Sequence, residues 1–98
     1  MTYENGQIFQ HFGHTQAFKI YEITDGQISR AEVVDTNGSG HGALAGFLMQ
    51  RGVDTLICGG IGGGAQVALA GAGIRLYGGV RGDADAAVNA LLSGNLGY

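Results

Sequence analysis

The sequence predicts an α/β fold with a mixed sheet, in which an antiparallel hairpin precedes parallel βαβα units. Three observations carry this. Two alternating apolar runs flank an Asp25-Gly26 dipeptide. Downstream, segments of helical periodicity alternate with short apolar runs. A glycine or glycine cluster stands at most of the junctions between them.

The elements follow in order. Residues 17–23 alternate, with Phe18 and Ile20 on one face and Lys19 and Tyr21 on the other, and residues 28–34 are similarly strand-like. Asp25-Gly26 between them supplies the positive φ angles of a tight hairpin turn. Residues 35–42, rich in Gly, Asn and Ser, read as a loop. A helix follows over 43–51, where Leu44, Phe47 and Leu48 fall at i, i+3 and i+4 and Gly52 is placed to end it. Residues 55–58 are a buried strand, 59–64 a glycine loop, and 65–72 a small-residue helix stopped by Gly73. Residues 74–77 form the next strand and 78–82 the next loop. Asp83 caps a last helix whose Ala84, Ala87, Val88, Leu91 and Leu92 share one face, and Gly94 ends it. Asn5-Gly6 resembles a hairpin turn, yet only four residues precede it, so a strand is missing or shortened there.

The α/β alternation implies right-handed crossovers and parallel strands. With the second hairpin strand parallel to the later two, four loops share one sheet edge: 11–14, 37–42, 59–64 and 78–82. Open α/β sheets bind ligands at the carboxyl ends of their strands. All three histidines and most of the clustered glycines fall on that edge.

Composition narrows the function classes. The 98 residues fit one domain spanning 1–98. Charged residues make up only 13%, about half the usual share, while glycine reaches 20 residues and proline is absent. The net charge is −3 with no Lys/Arg run, which disfavours nucleic acid as a partner. One cysteine, Cys58, excludes an internal disulfide, an all-cysteine zinc site and a cysteine-ligated iron–sulfur cage. The first residues do not form a signal peptide, and a cytoplasmic location is expected. Residues 56–74 are uncharged and long enough to span a membrane, but seven glycines and Gln66 argue for strand, loop and helix instead.

Several residues could carry chemistry. Glycines let backbone N–H groups approach an anion, and the following helix N-terminus adds a favourable dipole. Gly60, Ile61, Gly62, Gly63 and Gly64 fit G-x-G-x-x-A with Ala65, a weak match in so glycine-rich a run, and no lysine follows to make a phosphate loop. Close packing of helix on strand is the plainer account. His11 and His14 lie three apart and His41 opens a helix; imidazoles there could ligate metal or simply face solvent. Arg81 could pair with an anion or stay solvated. Cys58 reads as a small hydrophobe more readily than as a thiolate ligand. There is no Gly-x-Ser-x-Gly elbow and no poised carboxylate pair, since Asp83 and Asp85 are helix N-terminal residues, so an enzyme is not expected.

His11-Phe12-Gly13-His14, the Gly-x-Gly-His-Gly lead into the first helix, the run 57–65 and the closing Ala-Gly-Ile-x-x-Tyr-Gly-Gly segment together resemble the dinitrogenase iron–molybdenum cofactor biosynthesis domain, the NifX/NafY-like family that also forms the C-terminus of NifB. The resemblance covers about residues 5–96. It implies a ribonuclease H-like three-layer fold without nuclease chemistry. It implies binding or carriage of a molybdenum–iron or related metal–sulfur cluster, or its precursor, between donor and recipient proteins. The family's His-Phe-Gly motif maps onto His11, Phe12 and Gly13, and its glycine loop onto residues 59–64. Members usually open with an apolar strand in mid-sheet, between the first hairpin strand and the 55–58 strand. Here that strand is cut to residues 1–4, so the resemblance implies an incomplete sheet, with marginal stability or a homodimer as its physical result. A binding module for a phosphate-bearing small molecule on the same glycine edge, and a ligand-free interaction domain, are the alternative readings.

Overall fold

The computed structural model describes residues 1–36 and 43–94, and of His14 the backbone alone. Within these, the protein is a small α/β fold with three helices and mixed strand pairing. The elements are β1 (Tyr3–Glu4), β2 (Gln7–Ile8), β3 (Ala17–Thr24), β4 (Gln27–Asp35), α1 (Leu44–Gln50), β5 (Thr55–Ile57), α2 (Gly63–Gly71), β6 (Arg75–Tyr77) and α3 (Ala84–Leu92). A short 3-10 turn, Phe12–His14, lies between β2 and β3.

Three two-stranded ladders form: β1 with β2 and β3 with β4, both antiparallel, and β5 with β6 in parallel. The turns are those the dipeptides dictate. Asn5 and Gly6 take φ of 50° and 85°, and Asp25 and Gly26 take 54° and 75°. Pairing of β3 with β4 runs in register from Ala17–Asp35 to Glu22–Arg30, then shifts at a bulge between Glu22 and Ile23.

The first two residues join the ladders. Thr2 bridges Phe18 in antiparallel sense, and the Lys19 N–H donates to the Met1 carbonyl at 2.9 Å. On the other side the Thr2 N–H donates to the Ile57 carbonyl at 3.2 Å. The opening segment therefore lies between β3 and β5, where the family resemblance puts a central strand. Residue Ile8 lies outside that seam, paired with Tyr3 and donating its N–H to Gly82 O at 2.9 Å.

Strand alternation feeds two cores. Phe18, Leu56 and Cys58 pack with Leu44 and Leu48 of α1 and Leu69 of α2. Met1 and Ile57 pack with Ala84, Ala87 and Val88 of α3, with Tyr21 and Tyr77 against them. Because successive strand residues face opposite sides, α1 and α2 cover one face and α3 the other. Residues fully withdrawn from water contribute about 1.5–3 kcal/mol apiece when they are Leu or Phe, and Phe12, Phe18, Leu44, Leu48, Leu56 and Leu69 are in that state.

The helix boundaries differ modestly from the periodicity. α2 starts at Gly63 rather than Ala65, because the first helical turn needs no internal N–H bonding and its glycines can adopt helical angles freely. α3 starts where its cap requires: the Asp83 carboxylate accepts the Ala86 N–H at 2.9 Å. Among the described residues no helix is long and apolar enough to cross a membrane.

Candidate functional site

Three of the four glycine- or histidine-bearing loops meet. His11 pairs with Gly60 in a parallel bridge. The Gly60 N–H donates to Gln10 O at 2.7 Å, and the Phe12 N–H donates to Gly60 O at 3.0 Å. The third loop is tied on by the Gly79 N–H to Gly59 O at 2.9 Å and the Val80 N–H to Cys58 O at 3.0 Å. The remaining loop, 37–42, and His41 with it, lie outside the described residues.

Gln10 locks this junction. Its side-chain amide donates to Ile8 O at 3.0 Å and to Val80 O at 3.1 Å, crossing from one loop to another. Its backbone sits so close to the 59–60 segment that a Cβ on Gly59 would stand 2.6 Å from Gln10 Cα, and one on Gly60 would stand 2.9 Å from Gln10 O. Glycine is thus required at 59 and 60 by close approach. Gly62, Gly63 and Gly64 are different: a Cβ on any of them would meet nothing within 4 Å. The approach of the Gln10 backbone, not packing of helix on strand, accounts for the first pair, and the second group is left without a steric reason.

A concavity of about 590 Å³ opens over the junction, lined by Gln7, Ile8, Gln10, His11, Gly60, Arg81 and Gly82. None of the lining side chains is acidic. His11 is exposed, with its ring edge-on to Phe9 at 6.1 Å between centroids. Arg81 is exposed on the opposite loop. The neighbouring Asp83 carboxylate is occupied by its helix cap. The surface is suited to an anionic ligand, with one imidazole, one guanidinium and glycine backbone within reach.

The other candidate residues divide. Phe12 is 1% exposed and packs on Phe18 with centroids 6.1 Å apart, so its ring holds the loop from beneath. Gly13 is half-buried in the 3-10 turn. Ile61 is half-buried and packs against the α1–α2 core. Gly62 is the N-cap of α2, followed by Gly63 and Gly64, and all three are exposed beside the concavity without lining it. Cys58 is fully buried, and burial pushes its thiol up to about 11, so it stays protonated and packs as a hydrophobe. Among the described residues no three His, Cys, Asp or Glu side chains converge to hold a metal ion.

The sequence reading passed over Gln7 and Gln10. A signal for Gln10 existed in the doubled Gly59-Gly60, since paired glycines at a strand end mark close approach of another backbone. Nothing in the sequence says which backbone approaches.

The fold and this loop junction define the chain as a small α/β protein with a concavity at one end of its strands lined by glycine backbone, one imidazole and one guanidinium. Residues 1–94 match the dinitrogenase iron-molybdenum cofactor family model, and the chain belongs to that family. Among solved structures it is similar to the protein PH0822, at 27% identity and a TM-score of 0.89, covering 94% of this chain and 82% of that one. It is also similar to a dinitrogenase candidate from Methanocaldococcus jannaschii, seen by crystallography at 21% identity and TM-score 0.78, covering 98% of this chain and 88% of that one. The solution structure of that protein gives 20% identity and TM-score 0.77, covering 100% and 88%. The last two likenesses speak to fold alone. No curated protein sequence matches the chain.

Proposed function

We propose that the chain binds and carries a molybdenum–iron or related metal–sulfur cluster, or its precursor, at the His11–Gly60–Arg81 concavity. The observation that carries this is the pairing of exposed His11 with Gly60 in a concavity that Arg81 also lines, with no carboxylate in the lining. The donor set fits a preassembled anionic cluster rather than a bare ion. One imidazole can ligate a metal atom, while Arg81 and the backbone N–H groups at 62–64 attract the cluster's negative charge. A closed cage of protein ligands is not needed for such cargo. His14 and His41 are the further imidazoles that could approach it, and Gly13 and Ile61 shape the loops around it.

In this reading residues 1–98 act as one ribonuclease H-like binding domain in the cytoplasm. It is a carrier rather than a catalyst, working between a cluster donor and a recipient protein. The test is a spectroscopic titration of the protein, anaerobically, with isolated iron–molybdenum cofactor. Replacing His11 with Ala is expected to weaken binding about tenfold or more, and more than His41→Ala does, with the fold intact. Undiminished binding by the His11 variant overturns the role of His11.

The acid-free lining with Arg81 also suits a phosphate-bearing small molecule. A nucleotide-dependent rise in melting temperature, without metal content after anaerobic purification, would favour that second reading.

A further inference from the structure

Among the described residues β4 is an edge strand, paired with β3 on one side and with no strand on the other. Which of its backbone groups face outward follows from β3. The Lys19 N–H and C=O both bond Met1, so the two-residue alternation turns Phe18, Ile20 and Glu22 toward β4. Their partners Val34, Glu32 and Arg30 face back. Ala31 and Val33 therefore aim their N–H and C=O groups away from β3, and these have no backbone partner among the described residues. Residues 29–33 are all exposed, Val33 at 52%.

The edge carries its own charge complement. Arg30 and Glu32 flank Ala31 and share the face of Val34, which packs on the α1–α2 core. Their side chains are 69% and 45% exposed. Their contact within the chain is long, at 3.4 Å, and Arg51 reaches Glu32 only at 4.0 Å. Exposed pairs of this kind hold their geometry weakly, so both groups are available to other partners. Beside them a concavity of about 530 Å³ lies between the hairpin and the end of α1, lined by Ile20, Glu22, Arg30, Glu32, Gln50 and Arg51. It leaves room for side chains reaching in from across the edge.

We propose that β4 pairs with β4 of a second copy of this chain, antiparallel about a two-fold axis at Ala31, so that one sheet runs through both hairpins. In that register Ala31 exchanges two backbone hydrogen bonds with the partner's Ala31. Arg30 then stands opposite the partner's Glu32, and the axis repeats the pair, with Cα atoms about 4.5 Å apart. Centring on Arg30 or on Glu32 sets like charges opposite, and centring on Val33 leaves both charges unpaired. Charge therefore selects the register. The β3–β4 bulge leaves Ser29 as an extra residue on β4 and ends the regular edge there. A contact of one short strand pair is small, so the dimer is weak and reversible. None of the residues lining the His11–Gly60–Arg81 concavity belongs to β3 or β4, and the pairing does not cover it.

Sedimentation equilibrium of the unmodified chain at low salt is expected to show a monomer–dimer equilibrium with a dissociation constant between about 10 μM and 1 mM. Amide exchange at Ala31 and Val33 is expected to slow as the concentration rises. Arg30→Glu and Glu32→Arg each set like charges opposite across the axis, and each is expected to weaken the dimer at least about tenfold. An equimolar mixture of the two variants restores both pairs in a heterodimer, and its affinity is expected to return to within about threefold of the unmodified chain. Circular dichroism checks that both variants keep the fold. A chain that stays monomeric at about 1 mM overturns the proposal. So does a dimer that withstands both charge reversals, or a mixture no tighter than either variant alone, because the contact would then lie elsewhere.

Discussion

Replacing Gly59 with Ala drives a methyl group into the backbone that carries His11. The new Cβ would sit 2.6 Å from Gln10 Cα and 2.8 Å from Gln10 Cδ, against an ordinary contact of 3.4 Å or more, so the 10–12 segment must retreat by about 0.8 Å. Rotating the Gln10 side chain does not relieve the clash, because the nearest atom is backbone. Retreat stretches the Gly60 N–H to Gln10 O bond, now 2.7 Å, and the Phe12 N–H to Gly60 O bond, now 3.0 Å. Overpacking of this kind costs about 1–3 kcal/mol. Two weakened bonds add about 0.5–1.5 kcal/mol each. Removing a glycine from the unfolded chain returns about 0.4–1 kcal/mol. A net loss near 3 kcal/mol lowers the melting temperature by about 12–24 °C in a chain of this size. Thermal unfolding followed by circular dichroism measures it, and amide spectra show whether Gln10, His11 and Phe12 shift. A drop of under about 4 °C with unmoved resonances at 10–12 would refute the close-approach argument.

Gly64→Ala has the opposite expected sign: it sits in α2 with open space around its Cβ position, and the gain is about 0.5 kcal/mol, read as a raised denaturant midpoint. Asp83→Ala removes the carboxylate that accepts the Ala86 N–H, and α3 is expected to lose about 1 kcal/mol in the same assay. The Met1 amine is held near 5 against 8 when unfolded, so between those values the unfolded chain binds more protons and stability rises with pH. The gain is up to about 4 kcal/mol from pH 5 to 8, seen as a rising urea midpoint, and acetylating the amine is expected to flatten the curve. Lys19→Ala opens the 2.8 Å pair with Asp85, most of whose side chain is in water, and the expected loss stays below about 1 kcal/mol.

The regular elements were legible because each carries its own local signal. Asp25-Gly26 fixes the hairpin through positive φ, and Leu44 and Leu48 mark the buried stripe of α1. The short 3-10 turn at Phe12–His14 was not legible, since a three-residue turn has no periodicity to detect. At the site, position along the strands foretold that residues 11, 60 and 81 would share an edge. The role of Gln10 was not foretold, because it depends on which carbonyls lie within reach of one side-chain amide, Ile8 and Val80, and these are far apart in sequence. The family resemblance puts a central strand between β3 and β5 and implies that it is cut here; that Met1 pairs with β3 and Thr2 with both β3 and β5 was not legible, as two residues are too few to show an alternation.

His11 and Phe12 are neighbours in the chain, yet one faces solvent and the other has almost no surface. The ring of Phe12 touches Phe18, Phe18 stacks on Phe47 at 5.8 Å, and the Arg51 guanidinium lies 4.9 Å above Phe47. The fourth phenylalanine, Phe9, meets His11 itself. All four phenylalanines of the chain therefore lie on a relay from the outer loop to the far end of α1. Fluorine-labelled phenylalanine would turn that relay into four built-in probes. Occupation of the loop would register at Phe9 first, and any propagation into the interior would be timed and located by the order in which Phe12, Phe18 and Phe47 respond.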